Sequence, residues 1–166
     1  MRPKEIALGG LLTAFALLIP LAFRGTFLQF YIPAIAYSAT FASHVPSMLA
    51  MLISPAVAAL VGLGSTLGFL VTLGPVIAAR AFIHTIWGVV GAEMVRRGRS
   101  LLAALIVALP IHAIGEGVVV WLLGPGFQAG LFVAAGTVIH HVIDSVITLA
   151  LARLLAPVLA LHERAA

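Results

Sequence analysis

Long apolar runs, separated by short turn-forming segments, make up most of the sequence. A helix that crosses a bilayer needs about 20 mostly apolar residues, and six runs approach that length. Proline, glycine and arginine mark the ends of the runs, because proline breaks the hydrogen-bond pattern of a helix interior and disfavours helical backbone before it. The pattern predicts helices over about 4–23, 34–53, 55–73, 75–94, 101–123 and 128–155.

The segments between the runs predict the connections. Arg24 to Pro33 is expected to form an external, partly re-entrant loop, and Ser54-Pro55 a tight turn. Gly124 to Gly126 is expected to be a second external turn, and Pro110 a kink within the fifth helix. No internal repeat or linker interrupts the pattern, so residues 1–166 are interpreted as a single transmembrane domain.

The amino-acid composition indicates what surrounds these helices. Hydrophobic residues make up 63% of the chain and charged residues 8%, with a mean hydropathy of +1.22. So few polar residues cannot cover a water-soluble globule, and a lipid bilayer is therefore predicted to surround the chain. The first apolar run lacks a convincing cleavage site, so it is interpreted as a transmembrane helix and not as a signal peptide.

Basic residues fall into three groups that predict the orientation. They lie at the N-terminus, in the loop after the fourth helix and near the C-terminus: Arg2, Lys4, Arg96, Arg97, Arg99, Arg153 and Arg164. Basic residues favour cytoplasmic loops, and an even number of spans puts all three groups on that side. The fold class is thus predicted as an all-α bundle of six transmembrane helices with both termini cytoplasmic. The net charge of +4 is attributed to these cytoplasmic basic groups, so nucleic acid is not expected as a partner.

Several polar and ionisable side chains lie inside the predicted spans, where such residues are costly unless they face a partner or a wet cavity. Their depths, at about 1.5 Å per residue from the external helix ends, are roughly 8 to 18 Å. These residues are Arg80, His84, Trp87, His44, His112, Glu116 and His140. Four helices are therefore expected to bring polar groups together in the external half of the bundle.

Helical spacing strengthens this expectation. Arg80, His84 and Trp87 share one face of the fourth helix, and His112 and Glu116 share one face of the fifth. Two further sets have similar spacing: His140 with Asp144, and Tyr37, Thr40, His44 and Ser47 on the second helix. The pattern predicts an outward-facing pocket.

A structural explanation is also open for each residue, because polar groups hold membrane helices together. Arg80 could form a structural ion pair with Glu116, and the histidines could each bond a neighbouring hydroxyl or carbonyl. Asp144, at a depth of roughly 24 Å, could pair with Arg153 near the cytoplasmic side. Trp87 could stack on a bound ring or fill the core.

The residue types favour transport over catalysis. No serine stands in a nucleophile–base motif, and the absence of cysteine excludes thiol chemistry, so no enzyme activity and no cofactor are predicted. A zinc, nickel or cobalt ion is an alternative ligand, held by His112, Glu116 and His140. With neutral histidines the pocket carries a net charge of −1, so an anionic ligand would require a protonated histidine or help from Arg24.

Two segments resemble the substrate-binding S components of energy-coupling factor (ECF) vitamin transporters. The first helix carries Ala7, Gly10 and Ala14, similar to the small-residue pattern through which S components dock on their transmembrane coupling subunit. The segment 38–55, SATFASHVPSMLAMLISP, resembles the corresponding stretch of niacin-type S components.

The resemblance implies a bacterial plasma-membrane subunit that captures a vitamin from outside. A transmembrane coupling subunit and two cytoplasmic ATPases would drive import, since the sequence has no Walker loop. For nicotinate, Arg80 would hold the carboxylate, Trp87 or Tyr37 would stack on the ring, and His84 or His44 would bond its nitrogen. The alternatives are pantothenate, a pyridoxine-type compound or a queuosine precursor as substrate, a metal-binding membrane protein, or an assembly protein without a transport role.

Overall fold

Five long helices form the frame of the protein in the computed structural model, which describes residues 2–159. They are α1 (Pro3–Phe23), α3 (Pro55–Leu73), α4 (Pro75–Arg96), α5 (Leu101–Leu123) and α6 (Phe127–Leu154). Each is long and apolar enough to cross a membrane. The short helices α2 (Val45–Ala50) and α7 (Ala156–Leu159) complete the helical set of the described chain. The predicted cytoplasmic tail around His162–Arg164 lies outside the described residues.

The bounds of these five helices lie within two residues of the predicted ones, because the breakers and caps are local. The side chain of Ser54 accepts a hydrogen bond from the backbone N–H of Val57 at the start of α3. Ser100 caps α5 in the same way. Gly74, with φ +88°, makes the turn between α3 and α4 in a conformation that glycine adopts without strain.

The predicted second helix over 34–53 is wrong. An antiparallel hairpin spans the end of the predicted loop 24–33 and the first part of this segment, with β1 (Gln29–Ile32) paired to β2 (Tyr37–Thr40) around a 3-10 turn at Pro33–Ile35. Only the six residues of α2 are helical after it. Non-helical backbone is tolerated at membrane depth where it is buried in protein, and β2 packs against α6. The all-α class therefore holds for the bundle but omits this hairpin.

Close contacts show how α1 and α3 run relative to each other. Gly9 lies against Val57 near the start of α1 and α3, and Gly68 lies against Leu17 near their ends, so these two helices are parallel. The intervening segment, 24–54, must therefore return the chain to the side on which α1 begins. The N-terminal basic residues and the Arg96–Arg99 loop consequently lie at the same end of the bundle.

The contact between α3 and α4 gives a stability prediction. A Cβ built at Gly62 would lie 2.6 Å from the backbone of Thr85, so Gly62→Val should lower the free energy of unfolding by about 3 kcal/mol. Gly10→Ala is the control, because no atom beyond its own helix lies within 4 Å of a Cβ built there. Thermal unfolding in detergent measures both variants, and an unchanged midpoint for Gly62→Val would contradict this packing.

Candidate functional site

Arg80 connects the hairpin to α5. Its Nη1 donates to the carbonyl oxygen of Ala36 at 2.7 Å, and its Nη2 donates to Oε2 of Glu116 at 2.6 Å. A weaker contact of 3.4 Å joins Nη2 to the carbonyl of Ser38. Both charged side chains are buried, so each is the main counter-charge of the other. The structure thus contains the ion pair that was one of the two interpretations of Arg80.

Glu116 is held so that its second oxygen faces two histidines. Oε2 also accepts a hydrogen bond from Thr137 Oγ1 at 2.7 Å. Oε1 lies 3.5 Å from Nε2 of His84 and 3.3 Å from Nε2 of His112. The i, i+4 spacing of His112 and Glu116 therefore places both groups in one site, as the helical pattern predicts.

Asp144 belongs to the same cluster, although sequence spacing allowed a pairing with Arg153. Its Oδ2 accepts a hydrogen bond from the backbone N–H of His44 at 3.1 Å and lies 3.0 Å from Nδ1 of that residue. Nε2 of His140 is 3.3 Å from the same oxygen and 3.1 Å from the carbonyl of Thr40. Arg153 is exposed.

His141 is a residue of the cluster that the sequence interpretation missed. Its Nδ1 lies 2.9 Å from Nδ1 of His112, and its Nε2 lies 3.1 Å from the carbonyl of Leu105. The helical spacing of four polar residues could have revealed it: Thr137, His141, Asp144 and Thr148 form the buried polar face of α6. His140, next to it in sequence, lies toward the hairpin instead.

Five of the predicted binding residues line one small cavity: Arg80, His84, His44, Glu116 and His140. Its volume, measured for the centre of a water molecule, is about 10 Å³, which is room for one water. Ser38 and Thr40 of the hairpin cover it. His112 lies beside it, with its ring centroid 4.5 Å from that of His44.

Trp87 and Tyr37 lie near the cluster and outside the lining of this cavity. Trp87 is buried, with its ring centroid 5.2 Å from that of His112. Tyr37 is half-buried and packs edge-on against Phe132 at 5.5 Å. Side chains alternate along a strand, so the helical spacing assumed for Tyr37 and Thr40 is wrong, and Tyr37 lies on the opposite face from Thr40.

The small residues of α1 lie on a face that the other described residues leave exposed. Ala7, Gly10 and Ala14 are exposed, whereas Gly9 and Ala16 are buried. The two faces of α1 therefore differ: one packs on α3 and the other is available to lipid or to a second protein.

The charged groups of the cluster leave it electronegative. Arg80 carries one positive charge, and Glu116 and Asp144 carry two negative charges, which gives −1 when the histidines are neutral. Coulombic effects are strong in such a buried site, so a bound cation would be favoured and a bound anion would require compensation.

Comparison with known proteins finds similarity to a transporter. The niacin transporter NiaX of Lactococcus lactis subsp. cremoris (strain MG1363) is 37% identical over 95 residues, which are 57% of this chain and 40% of that transporter. The chain is similar to a niacin transporter. No family model matches the chain, and no solved structure does.

This similarity confirms the niacin-type resemblance drawn from segment 38–55. The five helices of membrane-spanning length agree with it. The chain is therefore a multi-pass protein of the cell membrane.

Proposed function

We propose that this protein is the substrate-capture subunit of an ECF-type importer and that its substrate is niacin, as nicotinate. The similarity to a niacin transporter is the observation that carries the proposal. The buried polar cluster under a hairpin supports it, because ionisable groups inside a membrane protein mark substrate sites.

Arg80 is the proposed anchor of the carboxylate. A guanidinium binds a carboxylate through two parallel hydrogen bonds, and Arg80 now gives its strongest neutral bond to the hairpin carbonyl of Ala36. A ligand carboxylate would replace that carbonyl, and the cavity, with room for one water, would enlarge as the hairpin moves. The capture step would thus exchange a hairpin contact for a ligand contact.

The other predicted residues would surround the pyridine ring. His84 or His44 would bond its nitrogen, since both line the cavity. Tyr37 lies close to the anchor, with Arg80 Cζ 5.9 Å from the centre of its ring, so it is placed to stack on a ring held there. Trp87, His112 and His140 would form the floor and side of the enlarged pocket.

The proposed topology has six crossings, with both termini in the cytoplasm and the hairpin at the external side. The parallel packing of α1 and α3 supports it, because segment 24–54 must then act as one crossing. The clustering of Arg2 and Lys4 with the Arg96–Arg99 loop at one end agrees with cytoplasmic basic residues.

Import would depend on partners. The exposed face formed by Ala7, Gly10 and Ala14 is proposed to dock on the transmembrane coupling subunit, whose two ATPases supply the energy. Small residues allow two helix backbones to approach closely in a membrane.

Equilibrium binding to the purified protein tests the substrate. We expect saturable binding of radiolabelled nicotinate, one per chain, and an increase of the thermal midpoint with nicotinate concentration. Benzoate, which lacks the ring nitrogen, tests the nitrogen contact, and pantothenate and pyridoxine test the alternative substrates. Stabilisation by one of those vitamins and not by nicotinate would reassign the substrate, and stabilisation by none would reject the proposal.

A further inference from the structure

Three imidazoles and one carboxylate lie close together at the cavity, and His44, His84 and Glu116 of this set belong to its lining. The ligand atoms of His44, His84, His112 and Glu116 all lie within 4.8 Å of one another, and all four residues are buried. Two of these separations, 3.3 and 3.5 Å between Glu116 and the histidine nitrogens, are close to the edge of a tetrahedron around a metal ion. Bonds of 2.0 to 2.1 Å give an edge of about 3.3 to 3.4 Å.

The tautomer of His112 can be assigned from its partners. A carbonyl oxygen only accepts, so Nε2 of His141 donates to Leu105 and Nδ1 of neutral His141 accepts. That nitrogen then receives the Nδ1–H of His112. Neutral His112 consequently presents the lone pair of Nε2 to the carboxylate of Glu116.

His44 and His84 each have a polar group close to Nδ1. Oδ2 of Asp144 lies 3.0 Å from Nδ1 of His44 without the geometry of a hydrogen bond, so the carboxylate acts on this ring through its charge. Ser65 Oγ lies 2.9 Å from Nδ1 of His84, whose Nε2 faces Glu116. Metal-binding histidines characteristically have such an outer partner on their second ring nitrogen.

The two histidine nitrogens nearest Glu116 lack hydrogen bonds. Among the described residues, Nε2 of His84 and Nε2 of His112 are buried polar atoms without a partner. A lone pair and a carboxylate oxygen 3.3 Å apart repel each other unless a proton or a metal ion lies between them.

We propose that His44, His84, His112 and Glu116 bind one divalent transition-metal ion of the zinc type. Nitrogen and carboxylate donors without thiolate suit zinc, cobalt or nickel, whereas magnesium and calcium favour an all-oxygen shell. This set differs from the one predicted from sequence, because His140 lies toward Asp144 and Thr40 and does not face Glu116 at this point.

The ion would also change the charge of the site. A divalent ion converts the net charge of −1 into +1, which complements a carboxylate ligand. This consequence rests on the proposed function, whereas the metal site itself does not. Because the ion would occupy the inner nitrogens of His44 and His84, the pyridine nitrogen would not bond these residues in the metal-loaded protein. We still expect nicotinate to bind better to the metal-loaded protein than to the chelated protein, because the added positive charge favours its carboxylate.

Metal titration of the purified, chelator-treated protein tests the site. We expect one Zn²⁺ per chain by calorimetry, and Co²⁺ should give the strong visible absorption of a four-coordinate ion. Mg²⁺ and Ca²⁺ should give no saturable binding. If histidine protonation fills the site instead, neither Zn²⁺ nor Co²⁺ will bind stoichiometrically, and the proposal is overturned.

Matched variants locate the ion. Glu116→Gln should lower zinc affinity by more than about 100-fold, and Asp144→Asn by about 10- to 100-fold, the range for outer partners. Glu93→Gln is the control, because Glu93 pairs with Arg96 and Arg97 at the far end of α4. Equal zinc binding by wild type and Glu116→Gln would reject this location, while nicotinate binding by the chelated protein would leave the proposed function intact.

Discussion

Replacing Arg80 with alanine is expected to weaken nicotinate binding by more than about tenfold and to lower the free energy of unfolding by about 3–5 kcal/mol. The loss in affinity reflects a missing charge-assisted hydrogen bond to the ligand carboxylate. The loss in stability reflects Glu116, which would keep only the hydroxyl of Thr137 as a partner for Oε2 while remaining buried.

Two measurements separate these effects. Chemical or thermal unfolding in detergent reports stability, and binding per folded molecule reports the ligand contact. The double variant Arg80→Met with Glu116→Gln removes both charges and keeps most of the buried volume, so it should recover much of the stability without recovering binding. If Arg80→Ala retains wild-type affinity, Arg80 does not contact the ligand and serves only as the structural partner of Glu116.

Replacing Gly10 with leucine is expected to reduce nicotinate uptake in the complete transporter at least tenfold, about 1.4 kcal/mol of docking energy, while substrate binding stays unchanged. Gly10 lies on the exposed face of α1 and a Cβ built there meets no atom within 4 Å, so we expect the larger side chain to point away from the subunit. It would hold the helix of the coupling subunit away, because close backbone approach requires small residues.

The control is Ile114→Phe, another enlargement on an exposed helix face. Ile114 is 64% exposed on α5, away from the small-residue face, and its replacement should leave uptake unchanged. Uptake in cells containing all subunits and binding to the isolated protein are compared for each variant. Normal uptake by Gly10→Leu would place the docking surface elsewhere.

Helix positions were predictable because their signals are local. The Ser54-Pro55 and Gly74-Pro75 pairs end and start helices through the conformations of the two residues themselves. The spacing of Arg80 with His84, and of His112 with Glu116, fixes their shared faces for the same reason. Each of these predictions needed only one helix, and each agrees with the structure.

The hairpin was not predictable from the same signals. Segment 34–53 is apolar and long enough for a span, and its non-helical first part is satisfied by strand pairing with residues 29–32, which helical periodicity does not encode. Ala36 and Ala42, with φ of 50° and 58°, adopt the left-handed conformation that alanine seldom takes, so the surrounding structure imposes it.

The sequence by itself determined that the chain lies in a membrane, the bounds of the five long helices and the shared faces on α4 and α5, but it also predicted a sixth long helix over 34–53 that the structure does not have. Local hydrophobicity, breakers and helical period carry that information. Tertiary structure alone decided that Asp144 pairs with His44 a hundred residues away, that His141 orients His112 and that the hairpin covers Arg80. Those contacts join elements distant in sequence, and only the packing of the helices brings them within bonding distance.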